Sequence, residues 1–166
     1  EISINEKNYQ KAITSIKKTI ALSKKNKDKA RYYFVLAQLN EMLKQGDKAI
    51  LNYNNVIKSN PEYEMSFRAA LNKANAYTYS SGKSSILLKE YGKMLKDAKN
   101  KDYRDQIYYA IGEIKLNDGD TISAILNFQR SINSFLFDIN QKLQTHQSLA
   151  KIYFEKKLYE KTYNQK

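Results

Sequence analysis

Apolar residues recur at three- and four-residue spacing along almost the whole chain, and short polar breaks separate the runs. In the first run, NYQKAITSIKKTIALSKKN from Asn8, Ala12, Ile13, Ile16, Thr19, Ile20 and Leu22 recur at helical spacing. Residues 1–7 read as a polar start, and Lys24 to Asp28 as a polar connection whose lysines suit the negative end of a helix dipole. From Ala30 a second helix runs to a turn at Gln45-Gly46-Asp47, and a third opens at Lys48-Ala49-Ile50 and stops at Asn60-Pro61. Pro61 can start the next helix, because its missing N–H costs nothing in a first turn. That helix, Tyr63 to Ser80, carries Phe67, Ala70, Leu71, Ala74 and Tyr77 on one stripe; its small residues predict close approach to a neighbour. Ser80-Ser81-Gly82 breaks it. Ser84 or Ser85 can cap a helix with Ile86, Leu87, Tyr91, Met94 and Leu95 as its apolar positions. Further helix patterns follow from Asp105, from Ala124 after a turn at Gly119, and from Leu143. The pattern predicts an all-α chain.

The helices come in pairs. In the Ala30–Pro61 pair, Tyr33, Leu36 and Ala37 on the first helix and Ala49, Tyr53, Val56 and Pro61 on the second keep the spacings of the tetratricopeptide motif, so this pair resembles that repeat family. Asn40 stands where the family usually has a Tyr. The pair from Asp105 matches again through Tyr108, Ile111, Gly112, Ala124, Phe128 and Ser131. Gly112 stands at the small position, where two helices cross and a side chain would push them apart. The resemblance divides the chain into the second helix of an incomplete repeat at 8–25, repeats at 30–63, 64–100 and 105–137, and an unfinished repeat at 143–166. The last carries Leu149, Ala150, Tyr153, Tyr159 and Thr162 and ends inside its second helix. Starts at Ala30 and Glu64 keep the family period of roughly 34 residues. The next two gaps exceed it by about seven and about four residues, which predicts a helix longer by one or two turns in each. The implied fold is a right-handed α-α superhelix of antiparallel helix pairs, and the open half-repeats predict a segment of a longer array.

Composition supports helix: Gly and Pro number only five and one among 166 residues. No Cys is present, which removes disulfides and thiolate metal sites. No apolar run reaches the roughly 20 residues of a membrane span. The formal net charge is +12. A surplus of that size attracts nucleic acid, acidic lipid or acidic protein. The lysines read as spread along the chain, as a solvated face would have them.

Candidate chemistry is sparse. The chain has no Ser/His/Asp spacing, no Gly-rich phosphate loop and no HExxH, and its carboxylates lie among lysines at helix-surface spacing. His146 takes an aromatic position of the motif and reads as a packing residue, as do Tyr33, Tyr53, Tyr91, Tyr108 and Tyr153. Neither a metal nor a cofactor is implied, and the reading is non-enzymatic. In the tetratricopeptide resemblance, binding falls to the concave face lined by each first helix. Its line is Arg31, Phe34, Gln38 and Glu41 in the Ala30 repeat, and Met65, Arg68, Asn72 and Asn75 in the Glu64 repeat. The Asp105 repeat supplies Gln106, Tyr109, Glu113 and Leu116, and the last one Gln144, Gln147, Lys151 and Phe154. Phe34 and Tyr109 can anchor apolar side chains. Arg68 and Asn72, one turn apart, can grip a carboxylate or a peptide backbone. The later positions of a chaperone-tail clamp are uncharged Gln144 and Ser148. Only Arg31, Arg68 and Lys151 are basic on this face, against two Glu, so nucleic acid is not the expected partner.

Residues 60–74, NPEYEMSFRAALNKA, and 103–120, YRDQIYYAIGEIKLNDGD, with RYYFVLAQL at 31–39, carry a narrower resemblance. They resemble the tetratricopeptide lipoprotein family of the Bacteroidota type IX secretion and gliding-motility machinery. It implies a scaffold that binds a protein or peptide, facing the periplasm at the outer membrane, with a lipid anchor elsewhere in the full-length protein. A generic tetratricopeptide adaptor, cytoplasmic or co-chaperone-like, is the alternative.

Overall fold

The computed structural model describes the backbone of residues 2–163 and the side chains of residues 8–157. Tyr159 and Thr162 therefore lie outside the described side chains. Among the described residues eight α-helices and one 3-10 helix follow in order: α1 (Ile2–Leu22), α2 (Asn26–Met42), α3 (Gly46–Lys58), α4 (Tyr63–Tyr77), α5 (Ser84–Lys96), the 3-10 helix (Ala98–Tyr103), α6 (Arg104–Asn117), α7 (Thr121–Asn133) and α8 (Ile139–Tyr163). No strand occurs among the described residues, so the chain is all-α. It forms two compact units, Glu1–Lys83 and Ser84–Lys166, and the division falls inside the 64–100 stretch.

In the first unit α1 already begins within residues 1–7, which the sequence reads as a ragged start. Helix α2 starts at Asn26, inside the expected connection, with Asp28 in its first turn where a negative charge suits the dipole. Only Ser23 to Lys25 remain between α1 and α2. The turn before α3 is Leu43 to Gln45, and Lys44, not Gly46, takes the left-handed backbone, at φ 55°. Gly46 is the buried first residue of α3. A Cβ there would collide with the Ala76 carbonyl and the Tyr79 backbone. Its N–H donates to the Tyr79 carbonyl at 3.0 Å. The glycine is thus required by close approach of the chain leaving α4. Asn60 also takes positive φ, at 50°, and ends α3. Pro61 stays outside the next helix, which starts at Tyr63 after an extended Glu62. The core joins Ala30 and Ala37 of α2, Ala49, Tyr53 and Val56 of α3, and Ala69 and Ala76 of α4. Small residues dominate it, so the backbones come close and each helix is read by its neighbours at short range.

The second unit repeats this plan. Helices α6 and α7 match α2 and α3 position for position at one constant separation. Tyr109 and Phe128 stand where Phe34 and Tyr53 do, Gly112 and Ala124 where Ala37 and Ala49 do. Even details recur: Asn52 and Asn127 each donate a side-chain hydrogen bond to the carbonyl four residues back, at 2.8 Å. Gly119 has φ 80°, matching Lys44. A Cβ on Gly112 would lie 2.6 Å from Cε1 of Phe128, which is the crossing the sequence predicts.

Elsewhere the second unit departs from expectation. The surplus residues after α4 do not lengthen a helix; they form the 3-10 helix, opened by Asp97, whose carboxylate accepts from the Lys99 N–H at 3.0 Å. The later surplus lies in α8, which begins at Ile139 rather than Leu143. Helix α8 runs from Ile139 to Tyr163 as a single continuous helix, so the expected turn between two helices does not occur among the described residues after Leu143. Its buried face is Thr145, Leu149 and Ile152. His146, Ala150 and Tyr153 are exposed, so His146 and Tyr153 are not packing residues. Ile86 of α5 is likewise 69% exposed, leaving Leu87 and Tyr91 to anchor that helix.

Candidate peptide-binding grooves

In the first unit a groove lies where the first helix of the pair meets the helix that follows it; in the second the corresponding helices are joined by a hydrogen-bond network. In the first unit the two sides are α2 and α4. The Phe34 ring meets Tyr53 of α3 edge-on, with centroids 5.5 Å apart at 75°. The Tyr53 hydroxyl donates to Oε2 of Glu41 at 2.8 Å and accepts from Nδ2 of Asn72 at 3.3 Å. Oε1 of Glu41 is buried without a partner. Burial raises the Glu41 carboxyl above its ordinary range, and the Tyr53 hydrogen bond pulls it only partly back. Burial, and then the Glu41 charge, push the Tyr53 hydroxyl up, so it stays a donor.

Beside this cluster is a cavity of about 260 Å³ lined by Phe34, Glu62, Glu64, Met65 and Arg68. Phe34 and Met65 supply apolar surface. The charges around it are paired. Nε and Nη2 of Arg68 both donate to Oε1 of Glu64, at 3.1 and 2.9 Å. Lys27 Nζ lies 2.6 Å from Oε1 of Glu62 and is the main cause of that carboxyl's lowered pKa, with a smaller contribution from Arg31. The structure therefore brings Phe34 and Arg68 together at one cavity and sets Asn72 behind it. Arg68 and Asn72 do not form a free grip: one is held by Glu64, the other by Tyr53. Arg31, Gln38 and Asn75 are exposed.

In the second unit Tyr109 of α6 packs on Phe128 of α7, centroids 5.5 Å apart at 44°. Its hydroxyl lies 3.4 Å from Oγ of Ser148 on α8, and that hydroxyl donates to Oε1 of Glu113 at 3.3 Å. Tyr109, Glu113 and Ser148 thus close one network across α6 and α8. Burial raises the Tyr109 hydroxyl, and it raises the buried Asp105 carboxyl too. Gln147 and Lys151 are exposed on α8. A second cavity, about 430 Å³, is lined by Leu116, Thr121, Ile122, Ile125, Ile152, Glu155 and Lys156.

Three participants were not legible as site residues. Tyr53 lies on a buried stripe, yet its hydroxyl reaches the groove side. Ser148 stands in the sequence only as an uncharged clamp position and Glu62 carries no motif of its own; both join through helix packing. The clusters hold hydrogen-bond donors, acceptors and rings, suited to gripping a chain. Among the described residues no group of three or more His, Asp or Glu stands close enough to hold a metal, and no helix is long and apolar enough to cross a membrane. No family model matches the chain, and no curated protein matches it.

Proposed function

We propose that the chain is a non-enzymatic interaction scaffold, built of tetratricopeptide-like helix pairs, that holds a peptide or protein segment in its grooves. The observation that carries this reading is the cavity of about 260 Å³ under Phe34 and Met65. It has the size for one apolar side chain or a small part of a segment, and it adjoins the Asn72–Tyr53–Glu41 hydrogen-bond cluster. An apolar anchor beside fixed polar groups is how small interfaces obtain both affinity and register. Because Arg68 and Lys27 are already paired, the groove favours an apolar anchor over a terminal carboxylate. The resemblances at 31–39, 60–74 and 103–120 support a setting in a bacterial envelope complex of the secretion and gliding type, with the protein on the periplasmic side of the outer membrane.

The test is selection of peptides from a display library against the whole chain, followed by binding to the Phe34→Ala, Arg68→Ala double variant. The groove reading expects the selected peptides to bind the variant at least about tenfold more weakly. Undiminished binding to a variant that keeps its helical circular-dichroism spectrum contradicts it.

A further inference from the structure

The net charge of +12 is not spread evenly. Between Asn8 and Arg31 stand seven lysines and one arginine against a single acid, Asp28. That one stretch carries a surplus of seven, more than half of the total. The fold gathers most of it at one end of the first unit. Lys17 and Lys18 lie in the last two turns of α1, Lys24 and Lys25 in the turn, and Lys29 in the first turn of α2. The 2.6 Å Lys27–Glu62 pair places the α3–α4 connection at this same end, and it brings exposed Lys58 with it. Lys17, Lys18, Lys24, Lys25 and Lys29 have no ion-pair partner among the described residues.

Two large apolar side chains stand among these lysines. Leu22, the last residue of α1, is 82% exposed, and Tyr63, the first of α4, is 44% exposed. Leu22 adds exposed apolar surface to this lysine-rich end. A lipid headgroup region takes both: the charges meet anionic headgroups, and Leu and Tyr enter the boundary below them. The surplus ammonium groups are complementary to such a surface and fall off with salt as any exposed charge does. Single-stranded nucleic acid wants a series of stacking rings, whereas the lysine-rich stretch from Gln10 to Arg31 contains none and Tyr63 beside it is a single ring. We infer that this end of the first unit docks peripherally on an anionic membrane surface, through Lys17, Lys18, Lys24 and Lys25 around Leu22.

Co-sedimentation of the full chain with vesicles tests this. Phosphatidylcholine vesicles with about 30% phosphatidylglycerol should bind it at about 50 mM salt, and pure phosphatidylcholine should not. Raising salt to about 500 mM should release it. Changing Lys17, Lys18, Lys24 and Lys25 to Gln should cut binding at least about tenfold, and Leu22→Gln should weaken it about threefold or more. The same four-charge loss on α5 and the 3-10 helix (Lys89, Lys93, Lys96 and Lys99 to Gln) should change it less than about threefold. The inference is overturned by an equal loss in that control, by no binding to the anionic vesicles, or by release of bound protein when a short DNA duplex is added at equal phosphate. All the substituted residues are exposed, so circular dichroism should show an unchanged fold.

Discussion

Single residues decide how closely the helices approach. At Gly46 the obstacle to a Cβ is backbone of Ala76 and Tyr79, which cannot swing away. Gly46→Ala should therefore destabilise the protein by about 1–3 kcal/mol in urea unfolding. Gly92 of α5 has open space where its Cβ would be, so Gly92→Ala should stabilise by about 0.5–1 kcal/mol, because only the helix propensity changes. A neutral result at Gly46 would refute the close approach. Glu41 makes the opposite kind of demand. Its folded pKa is raised, so the folded state binds a proton that the unfolded state, near 4.5, has released. Its contribution is fully present below the unfolded value and is lost as pH rises through the folded one. Glu41→Gln removes that loss, so the difference in urea midpoint between variant and wild type should move in the variant's favour as pH rises above 4.5. A difference that stays constant with pH would show that the carboxyl is not desolvated. Both residues were visible in the sequence, but only as a turn glycine and a groove acid. Their roles depend on Tyr79 and Tyr53, which periodicity does not bring to them.

At the scale of elements, helix pairing was legible and helix ends were not. Ala37, Ala49, Tyr53 and Phe128 are buried where their spacing places them, because a stripe of small and aromatic residues has one stable use. The extra residues after α4 read as a longer helix, but Asp97 offers its carboxylate to Lys99 and starts a 3-10 turn instead. In α8, Gln and Lys keep the helix going without a break, and its polar faces hide which residues are turned inward. The segment after α4 is held by a long-range clip no local pattern announces. Asp47, at the start of α3, accepts from the Ser80 hydroxyl at 2.8 Å, the Ser81 hydroxyl at 2.7 Å and the Ser81 N–H at 3.1 Å. Those bonds lower its pKa below 3.8, the Ser81 hydroxyl first, so the clip holds above that value and opens as pH falls through the lowered one. Asp47→Ala should speed hydrogen exchange at the Ser81 and Gly46 amides while the core amides of Tyr53 and Val56 keep their protection. Unchanged exchange at Ser81 would show that the clip does not form in solution.

Across the molecule, two compact units share one plan and use it differently. The first fills the space beside Gly46 with its own Tyr79–Ser81 segment, whereas the second has Thr121 and Ile122 at the matching positions and a cavity of about 430 Å³ beside them. In each unit a tyrosine hydroxyl ties the helix pair to a polar side chain on the helix that follows it, Tyr53 of α3 to Asn72 of α4 and Tyr109 of α6 to Ser148 of α8. That correspondence is what makes a groove for a peptide the central reading of the chain. It is tested most directly by amide chemical shifts of the isotope-labelled full chain, recorded as a display-selected peptide is added. The groove account predicts that the largest shifts fall on Phe34, Met65, Arg68 and Asn72, or on Tyr109, Glu113 and Ser148. Shifts confined to the outer lysine faces of α1 and α5, with both groove clusters unmoved, would contradict it.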